Sequence, residues 1–498
     1  MNVNPITRLD YPDPDVIRVE DTYYMVSTTM HFMPGCEILQ SFDLVNWEHV
    51  TYVYETLDHT DAQQLKSGQN IYGQGMWAAS LRYHEGRFYI CFVANDTRKT
   101  YLYTSEKIDG PWKKQLIEGF YHDGSLLFDE DGRNYIVYGN DEIWITELNE
   151  DLTAPKKDGL HRLLVSDHKN PELGYEGSHI QKINGYYYIF LIHSLRDRWM
   201  RTEACFYSDS LEGEFTGGDV LCDDRGYCGQ GVAQGGIVDT PDGKWYAMLF
   251  QDSGAVGRIP ILLPVTWKDH FPFFGQNGHV PEEIEVHSTR PGYIYQPLVG
   301  SDDFCNGLLP RWQFNHDPDP RYYHLDALQG TYTITTREVC TELTQAVNTL
   351  TQRMSYPSCA AEVTVDASAL KEGDVAGLCA LQSCYAAVGI TKHHGKYEVL
   401  MLDKKEDGIL DMTEGTVVES HQMDFRLEAD FCNMKDEARC YYRVNKGDWL
   451  PIGTVHKLYF KLDHFTGCRF GLFCYAAEET GGSACFRDFK YYDVDEIS

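Results

Sequence analysis

The stretch "HEGRFYICFV", residues 84–93, decides the fold. Glu85 and Gly86 suit a tight turn, and the run from Phe88 to Val93 has the aromatic and β-branched character of a strand. With "MWAASLRY" before it, the stretch reads as a hairpin. The same signature returns as "EDTYYMVST" (20–28), "EDGRNYIVYG" (130–139), "INGYYYIFLI" (183–192) and "PDGKWYAMLF" (241–250). Its marker tyrosines are Tyr24, Tyr89, Tyr135, Tyr188 and Tyr246, with separations of 65, 46, 53 and 58 residues. That spacing suits a four-stranded propeller blade with variable loops. Five repeats predict a five-bladed β-propeller over residues 1–295.

In a propeller the innermost strands line one channel, so equivalent repeat positions meet around one axis. Twelve residues before the marker stand Trp77, Asp123, Glu176 and Gln234; eleven before Tyr24 stands Asp13. Asp13 lies in "YPDPDVIR" (11–18), where a turn role is the ordinary expectation for Asp beside Pro. Three carboxylates facing one cavity repel one another, which serves stability poorly and acid–base chemistry well. Asp15, two residues on, is expected to support Asp13.

Composition narrows the partners. The chain has 498 residues and a formal net charge of −32. Such a surface repels nucleic acid and anionic lipid but not a neutral oligosaccharide. The 15 cysteines, with no leader-like segment at the N-terminus, lead to an expectation of reduced thiols and a cytoplasmic location. Cys222 and Cys228 lack zinc spacing, so no metal site is expected there.

Five stretches together resemble glycoside hydrolase family 43: "NPITRLDYPDPDVIRVEDTYYMVSTTMHFMPG", "MWAASLRYHEGRFY", "HDGSLLFDEDG", "YEGSHIQKINGYYY" and "GGIVDTPDGKWYAMLFQ". The resemblance implies an inverting enzyme acting on arabinose- and xylose-containing polysaccharides. It makes Asp13 the general base, Asp123 the pKa-modulating acid and Glu176 the general acid. Arg258 in "GAVGRIP" corresponds to an arginine that contacts substrate and orients the acids. Trp77 and Phe32 are the candidate aromatic platforms for sugar, and His179 is a candidate for orienting a neighbour or the substrate. Where many relatives hold a central calcium or water network with a histidine, this chain has Gln234. No cofactor is therefore expected to be required; a channel calcium would have only an amide oxygen at that position. Ala79 and Ser178 stand where proline is common in the family.

From residue 302 the hairpin signature stops. Alternating segments such as "GTYTITT", "CAAEVTVDAS", "YEVLMLDK" and "CRFGLFCYA" have the period of half-buried strands. They predict a β-sandwich over 302–498, and "DDFCNGLLPRWQFNHDPD", "LTQR" and "GDVAGL" resemble the concanavalin-like sandwich attached to many family 43 enzymes. Its "RWQFNHDPD" segment is expected to pack the two domains together. The expected activity is release of α-L-arabinofuranosyl or β-D-xylosyl units from arabinoxylan, xylan or xyloglucan fragments. A retaining fructan- or sucrose-cleaving enzyme shares the architecture, but its "NDPNG" and "ECP" motifs do not occur here. A non-catalytic sugar-binding propeller is the third reading, and the three acids weigh against it.

Overall fold

A computed structural model describes residues 2–493. The chain is all-β, with a five-bladed propeller followed by a concanavalin-like sandwich. Each blade is a four-stranded antiparallel meander, innermost strand first. The inner strands are Asp15–Val19, Met76–His84, Ser125–Phe128, Glu176–Ile183 and Gly236–Asp239. Their markers lie on the second strands, where Tyr23, Tyr135 and Tyr188 are among the largest fully buried side chains. Aromatic residues thus fill the wedges between blades, because a radial fan leaves more volume outward than aliphatic side chains fill.

Ring closure is local. Asn2–Val3 pairs antiparallel with Glu283–Ile284. The Asn4 amide donates to Leu262 O at 2.7 Å and accepts from Leu262 N at 3.0 Å. Arg18 on the first inner strand bonds Asp239 on the last.

The channel is plugged below its mouth by polar side chains. Arg82 donates to Asp15 Oδ2 at 2.8 Å, Ser125 Oγ at 2.6 Å, Leu126 O at 2.8 Å and Ile180 O at 3.1 Å. One guanidinium on blade 2 thereby ties blades 1, 3 and 4. Asp15 also accepts from Leu81 N at 2.7 Å and lies 3.1 Å from His179 Nδ1.

No strand lies between Glu283–Ile284 and Gln313–Asn315, the segment that carries the chain into the sandwich. The sandwich has a nine-stranded and a seven-stranded sheet. The larger sheet takes in a propeller strand: Phe32–Met33 pairs with Gln313–Asn315. The "RWQFNHDPD" segment thus joins the domains, with Trp312 buried in the sandwich core. Ala255, Val256 and Ile259 of the propeller belong to that same core. A buried Glu37–Arg353 ion pair at 2.8 Å crosses the boundary. Among the described residues, no helix is long and apolar enough to cross a membrane.

Candidate active site

All five positions picked out by the repeat count fall at the starts of inner strands. Asp13, Asp123 and Gln234 each sit two residues ahead of one; Trp77 and Glu176 are within the first two residues of theirs. Local backbone geometry turns them toward the mouth. Asp13 has φ 52° and Asp123 φ 48°, a left-handed region that Asp tolerates better than most residues. Trp77 and Glu176 are each followed by a β-bulge, which re-aims the side chain ahead of the regular ladder.

Asp13 is fixed by two donors. Arg258 Nη1 donates to Oδ1 at 2.7 Å and Thr28 Oγ1 to Oδ2 at 2.5 Å. Thr28 is held in turn by the Ala78 amide at 2.8 Å. Arg258 also donates to Asp252 at 3.2 Å, and Asp252 bonds the buried Arg201. A chain of alternating charge therefore runs Asp13, Arg258, Asp252, Arg201.

Glu176 and Asp123 stand across from this chain with His122 between them. His122 Nε2 is 3.5 Å from Glu176 Oε2 and 3.6 Å from Asp123 Oδ2. Glu176 Oε2 also accepts from Asn140 Nδ2 at 2.7 Å, and Asp123 Oδ2 accepts from Gly177 N at 3.0 Å. Burial pushes Asp123 up to about 6; the His122 charge opposes this, and the charges of Glu176 and Asp13 add to it. Burial pushes Glu176 up as well, but His122, Arg201 and Arg258 outweigh it and hold this carboxyl below its ordinary range. Burial lowers His122, yet Asp123 and Glu176 raise it further, to about 9. The two carboxyls next to one imidazole thus differ in affinity for a proton because His122 offsets burial at Glu176, with Arg201 and Arg258 adding to it, but not at Asp123.

The other residues singled out in the sequence fall into three places. Trp77 is at the mouth, its ring 6.4 Å from His122 and 5.1 Å from Phe465, and its indole N–H is buried without a hydrogen-bond partner. His179 and Gln234 line the channel beneath the acids, with His179 engaged by Asp15. Phe32 is a correction to the expected sugar platform. It is buried at 2% exposure, under the Arg469 guanidinium and beside His31, because its backbone is a strand of the sandwich sheet.

Thr28, His122, Asn140, Arg201 and Asp252 complete the site from the propeller. Phe465 completes it from the sandwich. Its ring lies 3.9 Å from the Arg258 guanidinium and covers one side of the mouth. The loop that carries it is pinned by Gly467 N to Asp10 at 2.8 Å and Cys468 N to Ala255 O at 2.8 Å. An open cleft of about 560 Å³ runs beside it, lined by Trp199, Gln230 and Asp252 of the propeller and Met434, Phe460 and Leu462 of the sandwich.

The channel residues do not fit a calcium ion. The cavity beside Gln234 is about 10 Å³, room for a single water. Asp15 is committed to Arg82, Leu81 and His179, which leaves too few oxygens for the six to eight that calcium takes. Among the described residues, the acidic and histidine groups close enough to share one ion are His122, Asp123 and Glu176, the acid–base cluster itself.

Carboxyls in unlike electrostatic surroundings gathered at one end of a propeller channel are what cleavage of a glycosidic bond requires, and they define the class as glycoside hydrolase. Sequence comparison supplies the family. The profile of "Glycosyl hydrolases family 43" matches residues 3–272, and that of "Beta xylosidase C-terminal Concanavalin A-like domain" matches residues 301–492. The chain belongs to glycosyl hydrolase family 43.

A solved structure from Bacteroides eggerthii, "Bifunctional GH43-CE", is 42% identical with a TM-score of 0.91, over 100% of this chain and 64% of that one. The chain thus spans under two thirds of that bifunctional protein. A "Beta-xylosidase" of Formosa agariphila is 27% identical over 99% of this chain and 89% of its own length. A "Non-reducing end alpha-L-arabinofuranosidase" of Bacteroides ovatus is 24% identical over 82% and 79%.

Proposed function

We propose that the chain is an inverting exo-glycosidase that releases α-L-arabinofuranosyl or β-D-xylosyl units from hemicellulose-derived oligosaccharides. The observation that carries this reading is the unequal treatment of two facing carboxyls. Asp13 accepts bonds on both oxygens, from Arg258 and Thr28, and suits a general base acting on water. Glu176 keeps an accessible face and suits the general acid. In an inverting enzyme the two carboxyls stand roughly 6.5–9.5 Å apart, so that water fits between sugar and base. Trp77, part-exposed at the mouth, offers the sugar a ring face. The Phe465 loop closes one side of the mouth, which favours chain ends over internal bonds. The relatives named for xylose and for arabinose release support both sugars, whose hydroxyl geometry is similar. The fifteen free thiols support work in a reducing compartment.

Proton NMR of the first product formed from a nitrophenyl β-xyloside and from an α-arabinofuranoside tests the assignment. Inverted anomers are expected, with no loss of rate in the presence of a chelator. Retained configuration would remove the direct attack of base-activated water and with it the base role of Asp13. Tight binding of both glycosides without turnover would instead make the propeller a sugar-binding module.

Phe465→Ala is expected to lower kcat/KM by roughly tenfold, the scale of a desolvated cation–π contact. The loss should fall mainly on KM, because the ring braces Arg258 and Trp77 rather than touching the transferred proton. Steady-state kinetics on an aryl pentoside checks it.

A further inference from the structure

The general acid of a glycosidase must deliver a proton to the leaving oxygen, yet Glu176 sits among cations. His122, Arg201 and Arg258 all act on it from different elements. His122 comes from the turn before the third inner strand, Arg201 from blade 4 and Arg258 from blade 5. The proton that Glu176 must donate is therefore held elsewhere in the resting site.

His122 occupies the place from which such a proton can come. Its Nε2 points between the two carboxylates, at 3.5 and 3.6 Å, and closes a hydrogen bond with neither. Its backbone is fixed, the carbonyl accepting from Gly139 N at 3.0 Å. The Trp77 ring meets the imidazole edge to face. The charged and titratable groups facing it are Asp123, Glu176 and, further off, Asp13. The three carboxylates outweigh burial, so an imidazolium is the form the surroundings favour.

We propose that His122 is the proton store of the acid half of the reaction, a positioning residue that acts through Glu176. This rests on the glycosidase reading above. When a sugar fills the mouth it displaces the water that solvates both ions. Transfer then breaks the Nε2–H bond, forms an O–H bond on Glu176 Oε2 and neutralises both charges at once. As the glycosidic C–O bond breaks, its electron pair stays on the leaving oxygen, which takes the proton from Glu176. Asp13 meanwhile takes a proton from the attacking water. After product leaves, Asp13 returns that proton to solvent and His122 takes one up, so the cycle consumes one water and no net proton.

The pH dependence separates this from a structural role. With His122 in place, the site keeps one transferable proton until the imidazole titrates, near pH 9. Without it, the only proton store is the carboxyl pair, where Asp123, raised to about 6 against the His122 charge, loses that opposition and rises further. In His122→Gln the alkaline limb of kcat/KM on xylobiose or arabinoxylobiose should move down, by less than three pH units. At pH 8 that is a loss of at least about tenfold, against a few-fold at pH 5.5. On a dinitrophenyl pentoside, whose leaving group needs no proton, the loss should be under tenfold and equal at both pH values. Equal losses at all pH values on both substrates, or an unmoved alkaline limb, would overturn the proposal.

Histidine NMR supplies a readout that needs no turnover. The resonance missing in His122→Gln should titrate near pH 9 in the native protein and move toward the ordinary histidine range in Glu176→Gln. A native His122 that titrates below 7 would also overturn the proposal. Absence of native turnover on every pentoside would overturn the glycosidase reading and the proposal with it, whereas native turnover with an unmoved alkaline limb in His122→Gln overturns the proposal alone.

Discussion

Asp13→Asn should lower kcat on aryl pentosides by about a thousandfold, within the range that general-base catalysis contributes. The reason is local. Asparagine can still offer its carbonyl oxygen to Arg258, and its amide can donate to Thr28 Oγ1, so the side chain stays in place. It cannot take a proton from water. The melting temperature should therefore stay within a few degrees of the native value while turnover collapses. The loss should be the same for good and poor leaving groups, because water activation precedes no choice of leaving group. Glu176→Gln should differ on this point, losing far more on xylobiose than on a dinitrophenyl pentoside. Near-native turnover in Asp13→Asn would remove that residue from the mechanism. A common leaving-group dependence in both variants would leave the acid and base roles unassigned.

The propeller was legible in the sequence because each blade repeats one short-range event, a hairpin with an aromatic second strand. The site positions were legible for a less obvious reason. In blades 1, 3 and 5, the site residue stands four positions before the residue paired with the marker: Asp13 before Ile17, Asp123 before Leu127 and Gln234 before Val238. In blades 2 and 4 it stands five before, ahead of Arg82 and Gln181, because a bulge adds one residue. Blades 3 and 5 make up the difference with hairpins one residue longer than blade 1. A uniform count of twelve therefore hides two kinds of blade, and the count of eleven at Asp13 marks the one with neither insertion.

What escaped the sequence depends on distance or on a change of backbone direction. His122 lies beside Asp123 in "HDGSL", and neighbours on a strand point to opposite faces. The left-handed backbone at Asp123 ends that alternation and brings both side chains to one mouth. Phe465 is separated from Arg258 in sequence by most of the sandwich, and no local pattern announces it. Phe32 was misplaced for the converse reason. A short aromatic segment near the acids was expected to face sugar, but the edge it presents is completed by Gln313–Asn315 from the other domain.

Arg82→Met should destabilise the protein by about 3–5 kcal/mol at neutral pH, the range for breaking a buried ion pair from one side. The methionine can fill the space of the stem. It leaves Asp15 with a backbone amide and His179 as its remaining partners, and it takes the guanidinium donor from Leu126 O, Ile180 O and Ser125 Oγ, the last keeping only the Ile180 amide. Acid should narrow the gap between variant and native protein, and the sign follows from Asp15. In the native protein burial pushes its carboxyl up, but Arg82 and then His179 bring it below the ordinary value. That contribution is present above the unfolded carboxyl pKa, near 3.9, and fades only as pH falls through the lower folded value. With Arg82 gone, burial dominates and the folded carboxyl is raised instead. The folded variant then binds a proton that the unfolded chain does not hold, so it gains stability relative to native as pH falls from 7 toward 4. Urea unfolding of both proteins at pH 7 and at pH 4.5 reads this directly. Adding Asp15→Asn to Arg82→Met should recover part of the loss at pH 7 and abolish the pH dependence of the gap. A gap that stays constant with pH would show that the lost backbone and hydroxyl bonds, rather than the stranded Asp15 charge, set the cost of opening the channel plug.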